Sequence, residues 1–342
     1  MKLYLRPSFD PILNFESSPN LTETLDYDLV IIKHPSVSES AWKTHFNKMD
    51  LGAFKKHRIM DLGEFAGNDS EKMAQTLGFL IDQGICPIVI GGDKELLESL
   101  HILQETQMKP YSLSWVNPGL HLSDLAIWQD HFVLKEIQGI AMQRHNTQKQ
   151  EIQTQLSEIT ISYLSDFRKS SNSVDPLLRR SNWCFFDPHS IRYSDFPASE
   201  HLLVSGLFSE EAASICKMAG AGEKNQLFMI SSWKTEVENK DLCDYNISQL
   251  VWYYMEGYNQ KKLDETEKNS HLTEYVVDLT ELDLEICFCK SEITGKWWFK
   301  SPTYEGHTKS SILIPCTYDE YLQTIQESIP KRISELLLKK VF

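Results

Sequence analysis

The chain reads as an α/β domain built on a parallel sheet. Three observations predict this. Short apolar runs bounded by turn residues alternate with segments of helical periodicity, the pattern of βαβ units. Those runs are apolar on both faces, as strands covered on both sides must be. Finally, 342 residues, 41% of them hydrophobic, are enough to bury a large core.

Leu29–Ile32 is the first expected strand and Arg58–Leu62 the second. Ser70 is placed as the N-cap of a helix that runs through Leu77, Leu80 and Ile81 and stops at Gly84. Pro87–Ile90 is the next strand, closing on Gly91-Gly92. A helix from Lys94 to about Glu105 follows, carrying Leu96, Leu97, Leu100 and Leu103 at helical spacing. Tyr111–Val116, Ile159–Tyr163 and Trp183–Phe186 read as strands, and Glu210–Ala219 as a helix with Gly220 as its stop. Leu227–Ile230 is a strand and Ile247–Glu256 a helix rich in Trp and Tyr. Glu274–Val277 and Glu285–Cys289 alternate like added edge strands, so residues from about 274 are expected to extend a single domain of residues 1–342 with edge strands and a helix. Residues 169–173 and 259–270 are the expected mobile loops. In a parallel sheet ligands bind beyond the carboxyl ends of the strands, which directs attention to residues 91–94, 117–121 and 187–189.

Composition excludes several roles. A net charge of −14 opposes a nucleic-acid surface, which needs clustered Lys and Arg. No run approaches the roughly 18 apolar residues of a membrane span, and Met1–Pro7 has no apolar core of a secretory signal, so a cytoplasmic protein without membrane insertion is expected. The seven cysteines are scattered and read as reduced structural thiols; only Cys287 and Cys289 are close, and no second pair has zinc-ligand spacing. No nucleophile elbow or P-loop is present. Trp297-Trp298 and Tyr253-Tyr254 read first as packing.

Three segments carry a family resemblance: Ile88–Lys94 (IVIGGDK), Ser114–His121 (SWVNPGLH) and Phe185–Pro197 (FFDPHSIRYSDFP). They resemble the GGDH, DAHxD and SFDxDxxxxxDxP motifs of the arginase/agmatinase/formimidoylglutamase (ureohydrolase) family. Residues 249–257, 289–298, 314–318 and 329–330 are similar to formimidoylglutamase-like proteins of Bacteroidota. The resemblance implies a three-layer α/β/α domain with an eight-stranded, mostly parallel sheet. It also implies a dimanganese site that hydrolyses a C–N bond through a metal-bridging hydroxide.

Carried onto this chain, the six ligand positions fall on Lys94, Asn117, Gly119, His121, Asp187 and His189, and the position of the substrate-binding acid on Ser232. Only Asp187 is the family's residue. An ammonium offers three donors and no acceptor, glycine has no donor atom, and an amide is a weak neutral ligand. A pair of divalent ions needs several anionic oxygens and imidazoles. The expectation is a pseudoenzyme without cofactor, acting through a protein partner or by self-association. The resemblance extends this to gliding and type IX secretion machinery in Bacteroidota. The alternative is a metal-dependent C–N hydrolase with one transition metal rebuilt on His121, Asp187 and His189. A third expectation is that the Lys94 ammonium replaces the lost cation and pairs with Asp187, so that Asp187→Ala would strand a buried charge.

Overall fold

A computed structural model describes residues 5–6, 27–121, 123–124, 134–155, 159–199, 203–266, 272–282, 284–305 and 308–338. Its centre is a nine-stranded sheet made of β1 (Leu5–Arg6), β2 (Leu29–Lys33), β3 (Ile59–Phe65), β4 (Cys86–Ile90), β5 (Tyr111–Val116), β6 (Leu134–Met142), β7 (Ile159–Tyr163), β8 (Trp183–Phe186) and β9 (Leu227–Ile230). The order is β1-β3-β2-β4-β9-β8-β5-β6-β7. Eight strands are parallel, and β1 alone runs antiparallel, against the outer side of β3. This is the expected eight-stranded parallel α/β sheet.

Alternation along the central strands sends their side chains into two cores. Leu29, Ile31, Ile88, Ile90, Cys184, Phe186, Phe228 and Ile230 face one layer of helices. That layer holds α1 (Trp42–Phe46), with α5 (Leu164–Lys169), α6 (Asp175–Arg180), α7 (Ser209–Gly220) and α8 (Lys240–Thr266). Val30, Ile32, Val89, Trp183, Phe185 and Met229 face the other, where α2 (Ser70–Asp82), α3 (Lys94–Gln107) and α4 (Lys149–Gln155) pack. Burial on both faces is why these strands are continuously apolar.

Several boundaries differ from expectation. Asp69, not Ser70, caps α2: its Oδ1 accepts the Lys72 N–H at 3.1 Å. Helix α8 runs 27 residues rather than ten, so Asn259 to Thr266, expected in a loop, are helical; residues 267–270 lie outside the described residues. Lys261 explains the misreading, because this polar residue is buried and donates to the Asn225 carbonyl at 2.8 Å. Residues 171–174 form a 3-10 turn between α5 and α6. Gly220 is the last helical residue of α7, and its role is close packing. A Cβ there would lie 2.0 Å from the Tyr254 carbonyl oxygen, and one at Gly257 would lie 1.9 Å from that of Lys217.

The C-terminal strands do not extend the parallel sheet. β10 (Leu272–Leu279), β11 (Leu284–Ser291), β12 (Trp297–Glu305) and β13 (Thr308–Cys316) form a separate antiparallel four-stranded sheet. One face carries Leu279, Ile286, Phe288, Phe299 and Ile314 against α9 (Tyr318–Ile325) and α10 (Lys331–Leu338), a third hydrophobic cluster. Period-two alternation identified strands there but could not name their partners. Arg179, fully buried, ties this sheet to α6. It donates to Glu223 at 2.6 and 3.0 Å, to Asp175 at 3.2 Å and to the Trp297 carbonyl at 3.1 Å, and its guanidinium lies 4.5 Å from the Trp298 ring centre. Trp297 and Trp298 are both buried, and so is Tyr254. Among the described residues no helix is long and apolar enough to cross a membrane.

Candidate functional site

Strands β4, β9, β8, β5 and β6 are neighbours in the sheet, so the residues after their carboxyl ends converge. These are Asp93 after β4, Ser231 and Ser232 after β9, Asp187 and His189 after β8, Asn117 and Gly119 after β5, and Gln143 after β6. All of these except Ser231 line a cleft of about 810 Å³. A second chamber of about 740 Å³ adjoins it, sharing Asp93, Asn117, Asp124, Asp187 and His189.

The turn beneath the cleft explains the two glycines. Gly91 and Gly92 have φ of +90° and +92°, the left-handed region that glycine adopts without strain. Their backbone presses against His34, Ser36 and Val37, so a Cβ at Gly91 would sit 2.5 Å from Val37. The Gly92 N–H donates to Ser232 Oγ at 2.8 Å and to Ser36 Oγ at 3.1 Å. Ser36 and Ser232 hydroxyls are 2.6 Å apart, and Ser36 Oγ is 2.8 Å from His34 Nδ1.

Asp187 is the hub. It caps the short 3-10 turn Pro188–Ser190 and accepts the His189 N–H at 2.9 Å. His189 Nδ1 lies 2.6 Å from the same carboxylate oxygen, and Ser231 Oγ donates to it at 3.0 Å. Asp187 is still extended and the chain turns only after it, so both side chains face the cleft: the capping turn folds His189 back onto the carboxylate. Asp93 stands across from this pair. Burial in the cleft raises its carboxyl above the usual carboxylate range, and the Asp187 charge adds to the rise; the Ser232 N–H, donating at 3.1 Å, and the nearby His189 oppose it.

The remaining ligand positions are spread around the cleft. Lys94 does not pair with Asp187. It sits on the first turn of α3, its side chain 76% exposed, with Nζ 3.5 Å from Glu98. The helical geometry of α3 directs it to the i+4 carboxylate and away from β8. Asn117 accepts the Gly119 N–H at 3.2 Å. Gly119 is packed against the neighbouring loop, where a Cβ would lie 2.0 Å from the Asn146 carbonyl oxygen. His121 is exposed and its backbone N–H donates to Asp124 at 2.8 Å. His121, Asp187 and His189 line one cleft, but among the described residues no three His, Cys, Asp or Glu side chains form a group set to hold a metal. Cys287 and Cys289 lie on one face of β11 and are unpaired, and burial raises the Cys289 thiol to about 11.

Asp93 falls within the stretch 91–94 marked in the sequence, although not as a site residue, whereas Ser231, Gln143 and the His34–Ser36 turn were not singled out. Ser231 adjoins Ser232 and could have been included with it. Gln143 follows β6, a strand whose mixed composition gave no period to read.

No protein-family model matches the sequence, and a comparison with curated proteins finds no match. Solved structures do share the fold. The formiminoglutamase of Trypanosoma cruzi, solved with Mn2+, has a TM-score of 0.61 at 17% identity, covering 74% of this chain and 99% of that one. Proclavaminate amidino hydrolase of Streptomyces clavuligerus has 0.55 at 13%, covering 69% and 93%. The agmatine ureohydrolase of Thermoplasma volcanium has 0.51 at 13%, covering 72% and 94%. The architecture is therefore the arginase-like α/β fold.

Proposed function

We propose that this chain is a pseudoenzyme: an arginase-like scaffold that keeps its strand-end cleft and serves as a binding and assembly module. The observation that carries the reading is the state of the cleft's ligand positions. The one retained acid, Asp187, is engaged by its own neighbours, His189 and Ser231. The place of a side chain at Gly119 is taken by the Asn146 backbone. Lys94 brings a positive charge to the rim of the second chamber, and Asn117 is committed to its own turn. Such a set does not fit two divalent cations, which need anionic oxygens aimed at a common centre. We therefore derive no hydrolytic step through a metal pair.

The cytoplasm as the site of action fits seven cysteines outside any disulfide, six of them buried. A protein partner or a second copy of the chain completes the proposal. The test is metal content and turnover together. Purified chain dialysed against Mn2+ is expected to retain far less than one ion per chain, and to release no ammonia or formamide from formiminoglutamate. Two retained manganese ions with hydrolysis would overturn the reading. Light scattering across concentration reads self-association directly.

A further inference from the structure

The second chamber has a different character from the first. Its floor is Leu97, Trp115 and Phe185, all at most 8% exposed, contributed by α3, β5 and β8. Leu97 and Phe185 present apolar surface, and Trp115 adds a broad indole face. The wall shared with the first chamber carries three aspartates against one histidine, so its charge is negative whether His189 is neutral or protonated. Of the two lysines lining the chambers, Lys94 is paired with Glu98, while Lys234 lines only the first chamber. Gln143 supplies an independent sign of an absent partner. It is 6% exposed and lines the first chamber; its Nε2 donates to the Ser205 carbonyl, which fixes the amide orientation and leaves Oε1 buried without a hydrogen bond. A buried acceptor left unmade is costly, and a ligand N–H is one group that satisfies it.

We propose that the two chambers together bind one small organic cation, its ammonium seated on the Asp93–Asp187 wall and its aromatic or branched apolar group over Leu97, Trp115 and Phe185. An apolar floor facing convergent polar and charged groups lets a small-molecule site combine affinity with orientation. The inference rests on the reading that the cleft does not hold a metal pair, since two cations at that wall would take the same charge.

Titration calorimetry on the full chain tests it with three probes: 2-phenylethylamine, ethylamine and 3-phenylpropanoate. The ring-bearing amine is expected to bind at least about tenfold more tightly than either of the others, the discrimination expected when a pocket matches both an apolar group and a charge. Asp93→Asn, at a position open to the cleft, should weaken the amine by about tenfold, as loss of a charge contact does. Leu97→Trp, which fills the chamber, should abolish the advantage of the ring. Equal affinity for ethylamine or for the carboxylate, no saturable binding up to about 10 mM, or an unchanged Asp93→Asn would each overturn the proposal. A parallel Mn2+ titration with a turnover assay separates the two ideas: two manganese ions per chain with hydrolysis defeat the pseudoenzyme reading and this inference with it, whereas binding of neither manganese nor amine defeats only this one.

Discussion

Gly119→Ala adds one methyl group where the structure has no room for it. The new Cβ would sit 2.0 Å from the Asn146 oxygen, 2.5 Å from its Cβ and 2.7 Å from its carbonyl carbon. Relief to an ordinary contact of about 3.5 Å needs a shift of about 1.5 Å. The two loops cannot separate freely: Leu120 N–H donates to the Asn146 carbonyl at 3.1 Å, Gln148 N–H to Leu120 at 3.0 Å and Gln143 N–H to Pro118 at 2.9 Å. Losing one or two of these costs about 1 kcal/mol each, and residual overpacking adds about 1–3 kcal/mol. A destabilisation of about 3 kcal/mol is therefore expected, read as a lower urea midpoint and a Tm lower by roughly 4 °C. Gly119→His should cost at least as much. It follows that Lys94→His, Asn117→Asp, Gly119→His, His121→Asp and His189→Asp combined do not restore manganese binding, because the backbone of residue 146 occupies the space of a side chain at 119. Gly119→His with native stability, or tight manganese in the combined variant by metal analysis, would refute this reasoning.

Arg179→Ala should cost about 3 kcal/mol, the low end for a broken buried pair because Glu223 and Asp175 keep some solvent; limited proteolysis should then release the segment after residue 272, and an uncut chain would argue against Arg179 as its anchor. Asp187→Ala should destabilise by about 1–3 kcal/mol by depriving His189 and Ser231 of their acceptor, whereas Lys94→Ala should change stability by under about 0.5 kcal/mol; denaturant unfolding of the two variants decides between these pairings. Burial holds the His34 imidazole below its ordinary 6.5, against the pull of Glu95 and Glu64, and Nδ1 accepts the Ser36 N–H, so the native state keeps it neutral. The unfolded chain takes up a proton near pH 6.5 that the native state resists, so this contribution is intact above that pH and is lost as pH falls toward the native value. His34→Asn, which retains an acceptor for Ser36, should flatten the acid-side loss in a series of thermal melts; an unaltered slope would assign the loss elsewhere.

Local pattern was enough for much of the fold. Runs such as Leu29–Ile32, Ile88–Ile90 and Trp183–Phe186 are apolar at every position, and only a strand covered on both faces needs that. The order of helices and strands then placed residues 91–94, 117–121 and 187–189 at one end of a parallel sheet, where they do meet. Side-chain chemistry at those positions was equally legible, since a lysine, an amide and a glycine differ from carboxylates and imidazoles in any fold.

What tertiary structure decided was direction and occupancy. Lys94 turns to Glu98 because α3 starts beneath it, and a helix sets its side chains by the turn, not by the vacancy beside it. Asn146 closes on Gly119 through hydrogen bonds between residues 25 to 28 positions apart, a contact no periodicity encodes. The C-terminal strands pair with one another because their alternating faces suit α9 and α10, and α8 continues through polar Lys261 because a carbonyl waits for its ammonium. Sequence fixes what each residue can offer; only the packed chain fixes which neighbour takes it up.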